Sequence, residues 1–139
     1  MSEKPFSQAC ENNKGPILAV LQQHLQHSGS VLEIGSGTGQ HALWLSAQLP
    51  PLSWQPSDVE ENLPGIQSWC QDATQSNLQS PRELDVSGRW PTRQYDAIFT
   101  ANTFHIMSMS LVQNCIAGAS ACLAAQGLML IYGPFNYQG

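Results

Sequence analysis

The run Leu32-Glu33-Ile34-Gly35-Ser36-Gly37-Thr38-Gly39 is the stretch best suited to hold a ligand. Alternate glycines let a chain turn with positive φ, and they leave bare backbone for a ligand to lie against near a helix N-terminus. A dinucleotide fingerprint asks for a small residue at its sixth position, and Gln40 stands there. That bulk would crowd the approach of helix to strand, and Glu33 would repel a diphosphate. A nicotinamide-dependent oxidoreductase is therefore disfavoured. Further polar residues follow apolar runs: Asp58, Asp85, Asn102, His105, and the segment from Gly133 to Asn136. Of these, His105 is the candidate general base, because imidazole titrates near neutral pH. Asn102 offers an amide donor and acceptor at the same place.

The elements that would carry these residues alternate along the chain. Ile17, Leu18, Leu21 and Leu25 keep helical spacing after Pro16, which suits a first helical turn, and Ser28-Gly29 closes that segment. Ser30 to Ile34 reads as a strand, the glycines as a tight turn, and Ala42, Leu45 and Leu49 as one face of a second helix. Leu52 to Pro56 is a second strand ending in Ser57-Asp58, and Asn62-Leu63-Pro64 can cap a helix carrying Ile66, Trp69, Cys70 and Ala73 inward. Glu83 to Val86 is a short third strand and Tyr95 to Ala101 a fourth. Val112, Cys115, Ile116, Ala119, Cys122 and Leu123 follow a helical period that stops at Gly127, with Leu128 to Tyr132 as the fifth strand. Runs apolar on both sides of the pleat suit a parallel sheet buried between helices. Such sheets bind ligands beyond the carboxyl ends of their strands, where the strand order reverses.

The 139 residues are expected to form one domain. Charged residues make up 11%, against a usual share of roughly 25%. Five Lys plus Arg against ten Asp plus Glu leave a net charge of −5, with no basic stripe, so a nucleic-acid duplex is not an expected partner. Cys10, Cys70, Cys115 and Cys122 are too widely spaced for paired zinc ligands and read as reduced thiols, so no metal is expected. No apolar run approaches the ~18 residues needed to cross a bilayer, and the start Met1-Ser2-Glu3-Lys4-Pro5-Phe6 lacks a signal peptide's apolar stretch. A cytoplasmic protein without a membrane partner is the expectation.

Glu33 before Gly-x-Gly-x-Gly, Asp58 ending the second strand and Asp85 ending the third together resemble the class I S-adenosylmethionine-dependent methyltransferases. Longer blocks extend the likeness: Ala9 to Leu18, Gly37-Thr38-Gly39-Gln40-His41-Ala42, Trp54 to Asp58, Ala97 to Asn102 with His105-Ile106, and Tyr132-Gly133-Pro134-Phe135. They resemble the uncharacterised methyltransferase-like family built on domain of unknown function 938. The resemblance implies a three-layer Rossmann-like α/β fold, with parallel strands in the order 3-2-1-4-5. S-adenosylmethionine is the implied cofactor. Gly35, Ser36, Gly37 and Gly39 would make room for its methionine and ribose, with Glu33 close to the cationic amino group. Asp58 would accept the ribose hydroxyls, and Asp85 with the Val86 amide would read the adenine edge. Asn102 would serve both cofactor and chemistry, and Asn13 and Lys14 would close over the methionine end. His41 reads as a wall of the cleft.

The expected reaction is methyl transfer to a small-molecule or protein-side-chain acceptor, with His105 taking a proton where the acceptor carries one. The alternative is a non-catalytic cofactor-binding or scaffold subunit completed by a partner. Methyltransferases of this class continue past the fifth strand with a helix, a sixth strand and an antiparallel seventh. The sequence stops at Gly139, so the expected domain is C-terminally shortened and lacks both strands. Leu128 to Tyr132 would be an apolar edge without charge, which self-association of two fifth strands would cover.

Overall fold

The computed structural model describes residues 4–25, 29–101 and 108–133. Its elements run α1 (Gln8–His24), β1 (Gly29–Ile34), α2 (Gln40–Gln48), β2 (Leu52–Asp58), a 3₁₀ turn (Glu60–Asn62), α3 (Leu63–Cys70), β3 (Arg82–Glu83), β4 (Tyr95–Ala101), α4 (Met109–Cys122) and β5 (Leu123–Tyr132). The strands form one sheet in the order β3-β2-β1-β4-β5, every adjacent pair parallel. The fold class expected from the sequence is the fold observed.

Alternation along β1 divides the core. Val31 joins Ile17 and Leu21 of α1, Ala42 and Leu45 of α2, Trp54 of β2 and Phe99 of β4 on one face. Leu32 and Ile34 join Tyr95 and Ile98 of β4 with Cys115, Ala119 and Cys122 of α4 on the other. Helices therefore cover both faces, which is why β1 and β4 can be apolar on both sides of the pleat. The third connection has no helix. Between β3 and β4, Trp90 lies against Gly118 of α4 and donates its indole N–H to the Val86 carbonyl at 3.2 Å.

Several boundaries differ from the sequence expectation. α1 begins well before Pro16, at Gln8, because Ser7 caps it by accepting the Cys10 N–H at 3.3 Å. Pro16 lies inside the helix, where it deprives the Asn12 carbonyl of an amide partner. Asn62 makes no side-chain cap to α3, and Ala73 lies beyond its end. β3 is two residues long and ends before Leu84, instead of reaching Val86. α4 gives way to strand at Leu123, not at Gly127, and the left-handed residue is Gln126 with φ 65°. Gly127 is needed for close approach instead: a Cβ there would stand 2.9 Å from the Ala124 carbonyl oxygen. The extra residues form an irregularity in β5, whose partners jump from Tyr95↔Leu123 to Ala97↔Leu128.

Candidate functional site

The β1–α2 turn has its glycines in the left-handed region, with φ of 67° at Gly35, 62° at Gly37 and 97° at Gly39. Their purposes differ. Among the described residues, a Cβ on Gly37 would meet only the Gly35 carbonyl, 3.9 Å away, so this backbone faces open space among them. A Cβ on Gly39 would stand 2.9 Å from the Ile66 Cα and 3.2 Å from the Trp69 Cβ. Gly39 thus serves the packing of α2 on α3, not room for a ligand.

Asp58 closes the turn from the side. Its Oδ2 accepts the Gly37 N–H at 2.8 Å and its Oδ1 the Val59 N–H at 2.7 Å, so two backbone amides fix the carboxylate plane beside the open glycine. Each oxygen keeps a second lone-pair direction for a ligand hydroxyl. Ser36, expected to touch a ligand, is 4% exposed and ties β1 to β2. Its N–H donates to the Ser57 carbonyl at 2.9 Å, and its hydroxyl accepts the Ser57 N–H at 3.0 Å.

Glu33 lies in the interior beneath the turn. It shares a face with Val31, is 1% exposed and accepts the Trp54 indole N–H at 3.1 Å. Burial pushes its carboxyl up to about 7 against the opposing hydrogen bonds from Trp54 and Ser36, and the Asp58 charge adds to the rise. Its carboxyl is enclosed in the interior.

Asp85 is exposed at the end of the neighbouring strand. The Leu84 N–H donates to the Asp58 carbonyl at 2.8 Å, which places Asp85 one residue further along the same rim. Its Oδ1 accepts both the Ser87 hydroxyl and N–H, an Asx turn that holds its carboxyl below the usual range. Val86 presents its carbonyl to Trp90. Asn102 and His105 lie outside the described residues. Among the described residues no group of His, Cys, Asp or Glu is placed to hold a metal ion, and no helix is long and apolar enough to cross a membrane.

The sequence missed how the N-terminal segment is fastened to this turn. Gln40 accepts the Ser7 N–H at 2.6 Å and the Thr38 hydroxyl at 2.9 Å, while its Nε2 donates to Glu11 at 2.8 Å and to the Ser7 carbonyl at 3.3 Å. Trp69 donates to the Pro5 carbonyl at 2.6 Å, and Lys4 pairs with Asp72. Lys14 pairs with Glu11 at 2.9 Å and lies 5.0 Å over the Trp44 ring. The residue that disqualified a dinucleotide site therefore fastens the start of α1 to the glycine turn.

This combination of sheet order, glycine turn and rim carboxylates has a match covering nearly the whole chain. Residues 4–139 match the family described as "Protein of unknown function (DUF938)". The chain belongs to the DUF938 family. Its fold is also that of solved methyltransferases. The S-adenosylmethionine-dependent methyltransferase SibL in its apo form superposes with a TM-score of 0.81 at 18% identity, over 93% of this chain and 37% of that one. A complex of DhpI with SAH gives 0.72 at 21% identity, over 91% and 59%. Coclaurine N-methyltransferase bound to N-methylheliamine and SAH gives 0.71 at 16% identity, over 94% and 38%. The DUF938 chain thus spans from about two fifths to three fifths of the length of these structures.

Proposed function

We propose that this DUF938 protein binds S-adenosylmethionine at the β1–α2 turn and transfers its methyl group to a small-molecule or protein-side-chain acceptor. The observation that carries the reading is the Asp58 carboxylate, locked by the Gly37 and Val59 amides beside a glycine with open space in front of it. A fixed pair of carboxylate oxygens matches a ribose diol, and charge-assisted bonds to it are among the stronger ones. The rim carboxylates Asp58 and Asp85 fit a nucleoside without phosphates, since they would repel a phosphate's charge. The solved relatives of this fold with SAH bound support the same ligand.

Bound there, the sulfonium supplies an already activated methyl group. The protein's part is then to hold and align, which can contribute on the order of 7 to 11 kcal/mol at best. Asp58 and Gly37 anchor the nucleoside, and the Gln40 bonds to Ser7 and Glu11 keep the start of α1 against the turn. Asn102 and His105, which follow β4 in the sequence, are the residues we assign to the acceptor side, His105 as the base for an acceptor that carries its proton.

Calorimetry tests the ligand. The chain should bind S-adenosylmethionine and S-adenosylhomocysteine, and neither NAD nor ATP. Asp58→Ala should weaken binding by roughly 1.5 to 3 kcal/mol, through lost hydrogen bonds to a charged acceptor. Native affinity in a folded Asp58→Ala protein would remove this residue from the site.

Self-association through β5 belongs to the same reading. Among the described residues β5 ends the sheet, and Leu128 and Ile131 are exposed on it, 42% and 37% respectively, with no charged residue anywhere in the strand. Light scattering after size-exclusion chromatography at micromolar concentration should give a mass above that of one chain. A monomer with cooperative unfolding would show that this edge stands uncovered.

A further inference from the structure

Ala42 and Leu45 of α2 are buried in the core, while Leu43, Trp44 and Ala47 of the same helix line a surface cleft of about 370 Å³. The start of α1 and the residues around the end of α3 complete it. Among the described residues its walls include the rings of Phe6, Trp44 and Trp69, and its charged lining is Glu11, Lys14 and Asp72. Asp58 and Gly37 take no part in it. Both indoles already hold an ammonium group of the chain itself. Lys4 Nζ lies 5.0 Å from the centre of the Trp69 ring and pairs with Asp72, and Lys14 Nζ lies 5.0 Å from that of Trp44 and pairs with Glu11. A ring face beside a carboxylate is thus built twice around one cleft, and a cation within about 6 Å of such a ring is attracted by its quadrupole. The Trp69 ring is fixed in place, because its N–H donates to the Pro5 carbonyl at 2.6 Å. Lys4 is held less firmly. Its side chain is 39% exposed and that of Asp72 51%, and ion pairs so exposed contribute little to stability. The backbone behind it is fastened at Pro5 and at Ser7, whose N–H donates to Gln40, so the Lys4 side chain can leave Asp72 without releasing the segment.

We propose that this cleft binds a small organic amine, an ammonium group on a short apolar body, and that Lys4 is its replaceable internal occupant. The ligand's ammonium takes the place of Lys4 Nζ between the Trp69 ring and Asp72, and its apolar body lies against Phe6 and Trp44. Charge selects the sign of the ligand. With Lys4 displaced, the cleft keeps the carboxylates of Glu11 and Asp72 against the single ammonium of Lys14, in a chain whose net charge is −5. An anion is repelled there, and a neutral molecule gains the apolar contact alone. The size suits a small molecule, since ligand pockets begin at about 300 Å³. This site goes beyond the S-adenosyl reading and does not depend on it.

Phenethylamine, a cation at neutral pH, is the probe, and phenethyl alcohol of the same shape is its neutral control. In the ¹⁵N-labelled full chain at low salt, the indole N–H signals of Trp44 and Trp69, assigned with Trp44→Phe and Trp69→Phe variants, should shift with millimolar amine. The alcohol should bind about threefold more weakly or worse. Lys4→Met removes the internal competitor and should tighten amine binding about threefold or more, with no such gain for the alcohol. Adding Asp72→Asn to Lys4→Met should weaken amine binding about threefold. Both side chains are exposed, so neither change touches the core. Equal affinity for amine and alcohol, indole signals unmoved by the amine, or a Lys4→Met protein that binds it no more tightly would each overturn the proposal. A tri-lysine peptide that shifts these signals where phenethylamine does not would overturn the small-ligand assignment and mark a protein partner instead.

Discussion

Between pH 4.5 and pH 8 the native chain should lose about 3 kcal/mol of stability that a Glu33→Gln protein keeps. The cause is one carboxyl. Glu33 is 1% exposed, and burial pushes it up to about 7 from an ordinary 4.5. Below pH 4.5 it is protonated in both folded and unfolded chains and contributes no difference. As pH rises, the unfolded chain releases this proton first while the folded chain retains it, so the unfolded state binds fewer protons and stability falls until pH passes the folded value. Glutamine keeps an acceptor for the Trp54 indole N–H and has no proton to lose, so its profile lacks this component. Urea unfolding of both proteins at half-unit steps from pH 4 to 8.5 measures the difference directly. Parallel curves would mean that the Glu33 carboxylate is solvated or paired in the folded chain. The pH dependence also bears on the site, because a carboxyl neutral below pH 7 is a poor partner for a ligand's ammonium.

Gly39→Ala should destabilise the fold by about 4 kcal/mol, whereas Gly37→Ala should cost only about 1 to 2 kcal/mol of stability. Both residues have positive φ, so both substitutions strain the backbone. At Gly39 the new methyl also meets the Ile66 backbone and the Trp69 side chain, and α3 must move to admit it. Gly37 has open space at that point, and its methyl instead enters the surface against which the ligand is proposed to lie. Denaturant midpoints and S-adenosylhomocysteine titrations should therefore separate the two: stability is lost mainly at Gly39 and affinity mainly at Gly37. Equal destabilisation by the two changes would show that α3 does not press on the turn.

β4 was legible at its full extent, Tyr95 to Ala101, because Ala97, Ile98 and Phe99 are apolar on both sides of the pleat, as burial on both faces requires, and polar residues flank the strand. The change from α4 to β5 was not. Leu123, Ala124 and Ala125 suit either element, and pairing of Leu123 with Tyr95 decides for strand several residues before Gly127. α1 was placed too late for a related reason. Pro16 is a normal opening residue, and what starts the helix at Gln8 is the Ser7 cap together with Gln40, 33 positions further along.

By itself the sequence determined the chemistry available at one end of the sheet: a turn of glycines, the carboxylates Asp58 and Asp85 after apolar runs, and the alternation of helices and strands. These follow from residue type and local spacing, which act over a few positions. Only the tertiary structure decided which glycine faces open space, that Glu33 turns inward to Trp54, that Gln40 fastens the start of α1, and that the His41 nitrogens are buried without partners. Each of those depends on what another segment places opposite the residue, and burial by a distant segment sets whether a polar atom is a ligand contact, an interior hydrogen bond or a buried group in want of one.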